Sequence, residues 1–146
     1  MRARTTHFVL ALLVLAAALR LFILPVRVSG DSMEPNIHSG AVLLMKRAIL
    51  SRAPLKRYDL VVACSGGELI IKRVIAFPGE WVRMTNGIVS IDGVPQNEPF
   101  SVRRGNWTIK TGQVDPDELL LMGDNRELPL QAFYILPQEA VIARRF

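Results

Sequence analysis

Cysteine and histidine are scarce in this 146-residue sequence, with one Cys and only His7 and His38. A lone cysteine excludes an internal disulfide framework and any Cys-based zinc cage, and two histidines leave little for a His-rich metal site. No metal or cofactor is expected. Acidic residues are missing from the first twenty positions, which hold Arg2, Arg4 and Arg20. The formal net charge of +5 is therefore concentrated at one end, since the other 126 residues carry 15 Lys+Arg against 13 Asp+Glu. A chain this nearly balanced outside its first segment is not a uniformly basic protein that coats nucleic acid, and no nucleic-acid partner is expected. The length suits one modest domain able to bury a core without disulfides.

What is present begins with a long apolar run. Residues 8–24 form 17 consecutive positions interrupted only by Arg20, followed by Pro25. That is the short edge of what crosses a hydrocarbon core, and Arg20 lies near enough to the end to snorkel to the interface. A cleavable secretory signal fits the basic start, the apolar run and Ala16-Ala17-Ala18 equally well. A buried helix of a soluble domain fits less well, because the run has no polar face. Under either export reading, Arg2 and Arg4 keep the N-terminus cytoplasmic. The expected organisation is a cytoplasmic start at 1–7, a transmembrane anchor at 8–25, and an extracytoplasmic β-rich domain at 26–146. The lipid bilayer of the cell membrane is the first expected partner.

Helix signals nearly vanish after Val26. Short apolar, often β-branched runs stand at 41–45, 60–63, 69–77, 81–84, 88–91, 119–122 and 140–143. They are bounded by turn residues such as Ser65-Gly66-Gly67, Asn86-Gly87 and Asp92-Gly93, of which Asn-Gly is the strongest hairpin signal. The stretch 48–56 reads as a short helix or a basic loop, and 95–112 as a long hairpin or excursion. The fold class is mainly β, with strand spacings of a sandwich or barrel.

Three stretches hold more polar punctuation than strands need. In Val28-Ser-Gly-Asp-Ser-Met-Glu-Pro-Asn36, Ser32 lies between Gly30 and Pro35 on an irregular loop, where backbone N–H groups are free of any ladder. These are the elements of a nucleophile with a main-chain oxyanion hole, although a Ser beside Gly and Asp is most often a solvated turn residue. In Glu68-Leu-Ile-Ile-Lys-Arg-Val-Ile-Ala-Phe-Pro-Gly79, a strand puts Lys72 on one face with Ile70, Val74 and Ala76. Arg73 then faces the other way with Ile71 and Ile75. A lysine among apolar neighbours is a candidate for desolvation and a lowered pKa, or else it snorkels at a strand edge. In Leu119-Leu-Leu-Met-Gly-Asp-Asn-Arg126, Asp124 either closes a tight turn or orients a cation at a strand end. No His-based triad assembles, because His7 precedes the apolar run and His38 is only six residues past Ser32. If Ser32 is a nucleophile, Lys72 is the better base.

In this order behind an apolar anchor, these stretches resemble the type I signal peptidases, Ser-Lys proteases that release exported proteins from their signal peptides. Ser29-Gly-Asp-Ser-Met-Glu-Pro-Asn36 is similar to the family's nucleophile box, and Tyr58-Asp-Leu-Val-Val62 to its Gly-Asp-hydrophobic box. Lys72-Arg-Val-Ile-Ala-Phe-Pro-Gly-Glu80 is similar to the box carrying the general base, and Gly123-Asp-Asn-Arg126 to the last box. The resemblance implies signal-peptidase-like coiled antiparallel sheets behind one N-terminal transmembrane helix. It implies Ser32 as nucleophile, Lys72 as general base, and the Ser32 backbone N–H as oxyanion donor. Gly30 stands where some members carry a second hydroxyl, so that donor is missing unless Ser29 substitutes. Arg73, Asp124 and Asn125 become structural support, with Asp124 paired to Arg73. Exported preproteins become the substrate partners, entering a groove whose wall is expected to include Met33 and Pro35.

The sequence also departs from the pattern. The segment after Arg126 is two residues short, Pro129 stands where a Ser bonding the catalytic amine is expected, and Gln131 where an Asp is expected. Gly40-Ala41 lacks a Gly-Asp carboxylate, and Tyr58 replaces a Gly. A specialised maturation peptidase of narrow range, or a catalytically impaired relative that binds signal peptides, are the competing readings. Self-cleaving repressor domains share Ser-Lys chemistry but carry a DNA-binding domain where this chain has its apolar run.

Overall fold

The computed structural model describes residues 2–48 and 53–146. Helix α1, Arg2–Phe22, is followed by β1 (Ile23–Arg27), β2 (Val42–Arg47), β3 (Leu60–Ser65), β4 (Glu68–Ala76), β5 (Trp81–Thr85) and β6 (Ile88–Ile91). Then come β7 (Val94–Pro95), β8 (Thr108–Gln113), β9 (Glu118–Met122), the one-turn helix α2 (Pro129–Ala132), β10 (Phe133–Pro137), a 3-10 turn and β11 (Val141–Arg145). The strand runs legible in the sequence are all present. Strands β1, β7, β8 and β10 come in addition.

Within α1, Thr5–Phe22 has a mean hydropathy of 1.9 and no buried residue, and Phe8, Leu13 and Leu15 stand exposed; the protein meets it near its end, where Arg47 Nε donates to the Arg20 carbonyl. An apolar helix with so little protein against it suits a lipid environment by length and composition. The sequence expects the span to run to Pro25. Instead β1 takes over at Ile23, because Ile23 and Leu24 pair with Lys46 and Met45 of β2 and thereby satisfy their backbone in the sheet.

Two antiparallel sheets make up the rest. The larger has seven strands in the order β1-β2-β11-β3-β4-β9-β10, and the smaller has four in the order β7-β6-β5-β8. Alternation along the central strands explains the packing. Leu60 and Val62 of β3 enter one cluster with Val28, Met33, Ile37, Met45 and Ile71, while Val61 and Ala63 enter another with Val74, Leu119, Leu121 and Val141. A third cluster joins the sheets through Ile75, Ala76, Leu120 and Met122 on one side and Val82, Met84, Val89 and Ile91 on the other. The shared cluster has a local cause. A register shift against β9 falls between Val74 and Ala76, so Ile75 and Ala76 both face the small sheet and Ala76 leaves the face of Lys72 on which regular alternation would put it.

The turn chemistry is as the sequence expects at Asn86-Gly87. Both residues have positive φ, 48° and 73°, as a two-residue hairpin with right-handed strand twist requires. A side chain at Gly87 would also meet Arg104 Cα at 2.9 Å, where the excursion after β7 passes. That excursion is partly strand: β8 pairs with β5, and before it Arg103 bridges to Asn125. Residues 49–52 of the 48–56 stretch lie outside the described residues.

Candidate active site

The loop joining β1 to β2 carries Ser32. Its neck is closed by Val28 N–H donating to the Ala41 carbonyl (2.8 Å) and Gly40 N–H to the Val28 carbonyl (2.9 Å). Inside it, Glu34 N–H bonds the Asp31 carbonyl and Ile37 N–H the Met33 carbonyl, while the Met33 and Ile37 side chains sink into the core. The loop is thus anchored at both ends of its turn, and Ser32 is carried at its bend. From the opposite side, the turn after β9 clamps the same peptide: Asn125 N–H donates to the Ser32 carbonyl (3.0 Å) and Asn125 Nδ2 to the Asp31 carbonyl (3.2 Å). Gly123 is there because a Cβ would strike the Ser32 carbonyl oxygen.

Strand β4 brings Lys72 to this loop from forty residues away. Its Nζ lies 2.7 Å from Ser32 Oγ, and the residue is only 4% exposed. Among the described residues no carboxylate pairs with it. Burial lowers its pKa from the ordinary 10.5 to about 8, against a smaller opposing pull from Asp124. A lysine amine on a serine hydroxyl, without a neutralising counter-ion, is the arrangement by which a hydroxyl loses its proton to a neutral amine. The Ser32 backbone N–H has no internal acceptor among the described residues. The neighbouring Gly30 N–H is taken by Ser39 Oγ (3.2 Å).

Arg73, next along β4, points to the other face and meets Asp124. Nε donates to Oδ1 (2.8 Å) and Nη2 to Oδ2 (3.0 Å), a two-point fork with the carboxylate almost wholly buried. Asn36 Nδ2 donates to the same Oδ2 (2.8 Å) and to the Ser101 carbonyl (2.7 Å). The Phe100 ring covers the guanidinium at 4.1 Å. Burial pushes the Asp124 carboxyl up from the ordinary carboxylate range, against the pull of Arg73. This brace ties the Ser32 loop, β4, the turn after β9 and the excursion into one unit. Arg73 and Asp124 form the brace itself, and Asn125 bonds the Ser32 loop beside it.

A groove of about 580 Å3 runs past Ser32 and Lys72. Residues 24–29 line one side and 68–72 another, with Met33, Gln131 and Tyr134 completing the wall. Strands β1 and β10 are opposite edges of the large sheet, yet both contribute to this groove, so the sheet curls its edges toward each other. Met33, expected in the wall, lines it, and so does Ser29, which the resemblance offered only as a possible oxyanion donor. Pro35 is not, because the turn at 33–37 carries the chain away from the groove toward Ser101.

Other sequence features find their place outside the groove. His38 is exposed, with Nδ1 3.3 Å from Glu34 Oε1. Glu80 accepts from Arg57 and from Phe77 N–H. Tyr58, at a position where the resemblance expects Gly, has φ +71. It is held there by its N–H to the Val74 carbonyl and its ring edge on Phe100. Among the described residues no group of three His, Cys, Asp or Glu is placed to hold a metal ion.

Sequence reasoning missed Asn36, Phe100 and Tyr134. Asn36 and Phe100 carry no local signal, since each acts on a residue far along the chain. Tyr134 belongs to a five-residue apolar run, 133–137, that reads as a strand once it is separated from the shortened segment before it.

Comparison with known proteins agrees with this architecture. The family model described as "Signal peptidase, peptidase S26" matches residues 2–128. A probable signal peptidase I-1 of Synechocystis is 32% identical over 143 residues, covering 89% of this chain and 73% of that protein. A signal peptidase I of Bacillus amyloliquefaciens is 31% identical over 124 residues, covering 77% and 67%. The crystal structure of a signal peptidase I from Enterococcus faecalis shares the fold, with a TM-score of 0.53 at 22% identity over 66% of this chain and all of that one. With a buried lysine on a loop serine, a curled β sheet behind an apolar helix, and sequence similarity along nearly its whole length, the chain belongs to the signal peptidase family, peptidase S26.

Proposed function

We propose that this protein is a membrane-anchored serine endopeptidase that cleaves signal peptides from exported preproteins after a small residue. The observation that carries the reading is the 2.7 Å contact between Ser32 Oγ and a Lys72 amine 4% exposed, at the side of a groove open to an extended chain. The neutral amine takes the hydroxyl proton as Oγ attacks the scissile carbonyl carbon, and the Ser32 N–H receives the developing oxyanion. The amide C–N bond breaks as the ammonium returns its proton to the leaving amine, leaving an ester on Ser32. Water, losing a proton to the same amine, then hydrolyses that ester and restores Oγ–H. The β1 edge offers backbone groups for pairing with the substrate. The α1 helix anchors the enzyme, and Arg2 and Arg4 hold its start on the cytoplasmic side.

The test uses the full chain in detergent with a preprotein bearing an Ala-x-Ala site. Wild type is expected to release the mature protein, and Ser32→Ala and Lys72→Ala to lose at least about 10³-fold in rate, the scale of removing a member of a catalytic dyad. Cleavage by wild type no faster than by either variant, across several preproteins, would overturn the peptidase reading. It would favour a protein that only binds signal peptides.

A further inference from the structure

We infer that Tyr134 is a positioning residue for the Lys72 amine, its ring face filling the place of the missing hydroxyl acceptor; this rests on the Ser-Lys reading above. A neutral amine that receives the Ser32 proton must aim its lone pair at Oγ, so its two N–H bonds need a partner elsewhere. Lys72 makes a single hydrogen bond among the described residues, to Ser32. Pro129, where a hydroxyl would be expected, has no side-chain acceptor, and it starts the short helix α2. What comes close instead is the Tyr134 ring, with Nζ 5.4 Å from its centroid.

Sheet register explains how the ring arrives. Val74 of β4 pairs with Leu121 of β9, and Leu121 pairs with Tyr134 of β10, so Tyr134 lies on the face that Val74 shares with Lys72. Tyr134 packs on the cluster of Val74, Leu121 and Val61, and Val61 stands opposite Lys72 in register. Strand β9 ends at Met122, and the position that would continue the ladder toward Lys72 is Gly123, which leaves room for a ring to lean across. An aromatic face attracts an ammonium and also accepts an N–H from the neutral amine, and it excludes water in both states. It therefore holds Nζ on Oγ through the proton transfer without fixing the charge. The other groups facing Lys72 are accounted for. Ser32 comes from the loop, and the Asp124 carboxylate, already engaged by Arg73 and Asn36, from the turn after β9. Gln131 of α2 lines the same groove.

The experiment compares wild type, Tyr134→Leu, Tyr134→Phe and pentafluorophenylalanine at position 134 in the full chain in detergent. It reads kcat, KM and the pH profile on the Ala-x-Ala preprotein, and follows the 13Cε resonance of Lys72 against pH. Leucine keeps the apolar wall and removes the ring face. We expect kcat to fall about tenfold with KM changed less than twofold, and the Lys72 midpoint to drop by half a unit or more as the ammonium loses the ring. Tyr134→Phe should restore kcat to within threefold of wild type. The fluorinated ring, the same shape with a weakened face, should behave as leucine does and decides the matter if Tyr134→Leu misfolds. Fluorinated and leucine variants equal to wild type in kcat and in the Lys72 midpoint would overturn the assignment. If wild type cleaves nothing, the peptidase reading fails, while the 13Cε titration still decides whether Tyr134 acts on the amine.

Discussion

The Lys72 amine is tuned by removal from water rather than by a counter-ion, and its pH dependence follows in sign and position. Only the neutral amine can take the Ser32 proton, so kcat/KM is expected to rise with pH through about 8, not through the ordinary lysine value of 10.5. A pH–rate profile checks this, and an ascending limb near 10 would contradict a buried base. The same shift is a statement about stability. Below about pH 8 both folded and unfolded chains carry the ammonium, and the folded one bears its burial. Between about 8 and 10.5 the unfolded chain keeps a proton that the folded one has released, so this group's contribution to stability rises with pH across that window. Lys72→Met, which leaves the volume and removes the amine, should therefore raise stability at pH 7 by up to about 3 kcal/mol, read by thermal unfolding in detergent, while abolishing cleavage. Ser32 and Lys72 stood out in the sequence through the resemblance of their short boxes to those of a known family, since taken singly each reads as well as a turn serine and a strand-edge lysine. Asn36, Phe100 and Tyr134 were not, because each reaches the site through pairing with segments tens of residues away, and one residue's identity carries no trace of such a partner.

At the scale of elements, the turn after β9 acts as a clasp on the Ser32 loop, and its tightness can be probed. Gly123→Ala puts a methyl group against the Ser32 carbonyl, which is backbone and held by Asn125. The loop must move, and a shift of about 1 Å at Oγ is enough to cost on the order of 10²-fold in rate. Activity assays should show that loss with β structure retained by circular dichroism. The start of the sheet gives a second prediction. Ile23 and Leu24 are paired strand residues although they read in sequence as the end of an apolar span. A chain cut just before Ile23 should fold, whereas one cut before Val28 lacks all of β1 and leaves an edge of β2 open. It should aggregate or melt at least about 5 °C lower, as scored by size-exclusion chromatography and thermal melts. The difficulty in reading β1 is physical: an apolar run is the signature of both a lipid-facing helix and a buried strand, and only pairing tells them apart. Strand β8 was obscured for the opposite reason, since Thr108–Gln113 is polar and lies on a small outer sheet. The hairpins at 65–68 and 86–87 were plain because Gly and Asn at positive φ are demanded by the turn itself.

The molecule as a whole consists of a bare apolar helix and a curled β body, and the proposed topology can be tested with the chain's own thiol. Cys64 is the sequence's sole cysteine and is exposed on β3. A membrane-impermeant maleimide should label it in intact spheroplasts, with no further labelling after lysis. Labelling only after lysis would place the β body on the cytoplasmic side. Away from the groove, Arg126 links distant parts of that body. Its buried guanidinium pairs with Glu98 of the excursion and donates to the Gly87 carbonyl of the β5–β6 hairpin. Removing one partner of so enclosed a pair leaves an uncompensated charge, so Glu98→Ala should destabilise the fold by about 3 kcal/mol or more. Finally, α1 passes into β1 with no residue between Phe22 and Ile23. Ser32 is ten residues beyond that junction, at most about 35 Å of chain even if fully extended. With α1 in the bilayer, the nucleophile is on a short leash and works at nearly constant height above the lipid. On the proposed function, its choice of bond would thereby be made by altitude as well as by side chain: an acceptable small residue far out in a folded, exported domain would be out of range, while one just past a substrate's own membrane segment would be presented at the right level.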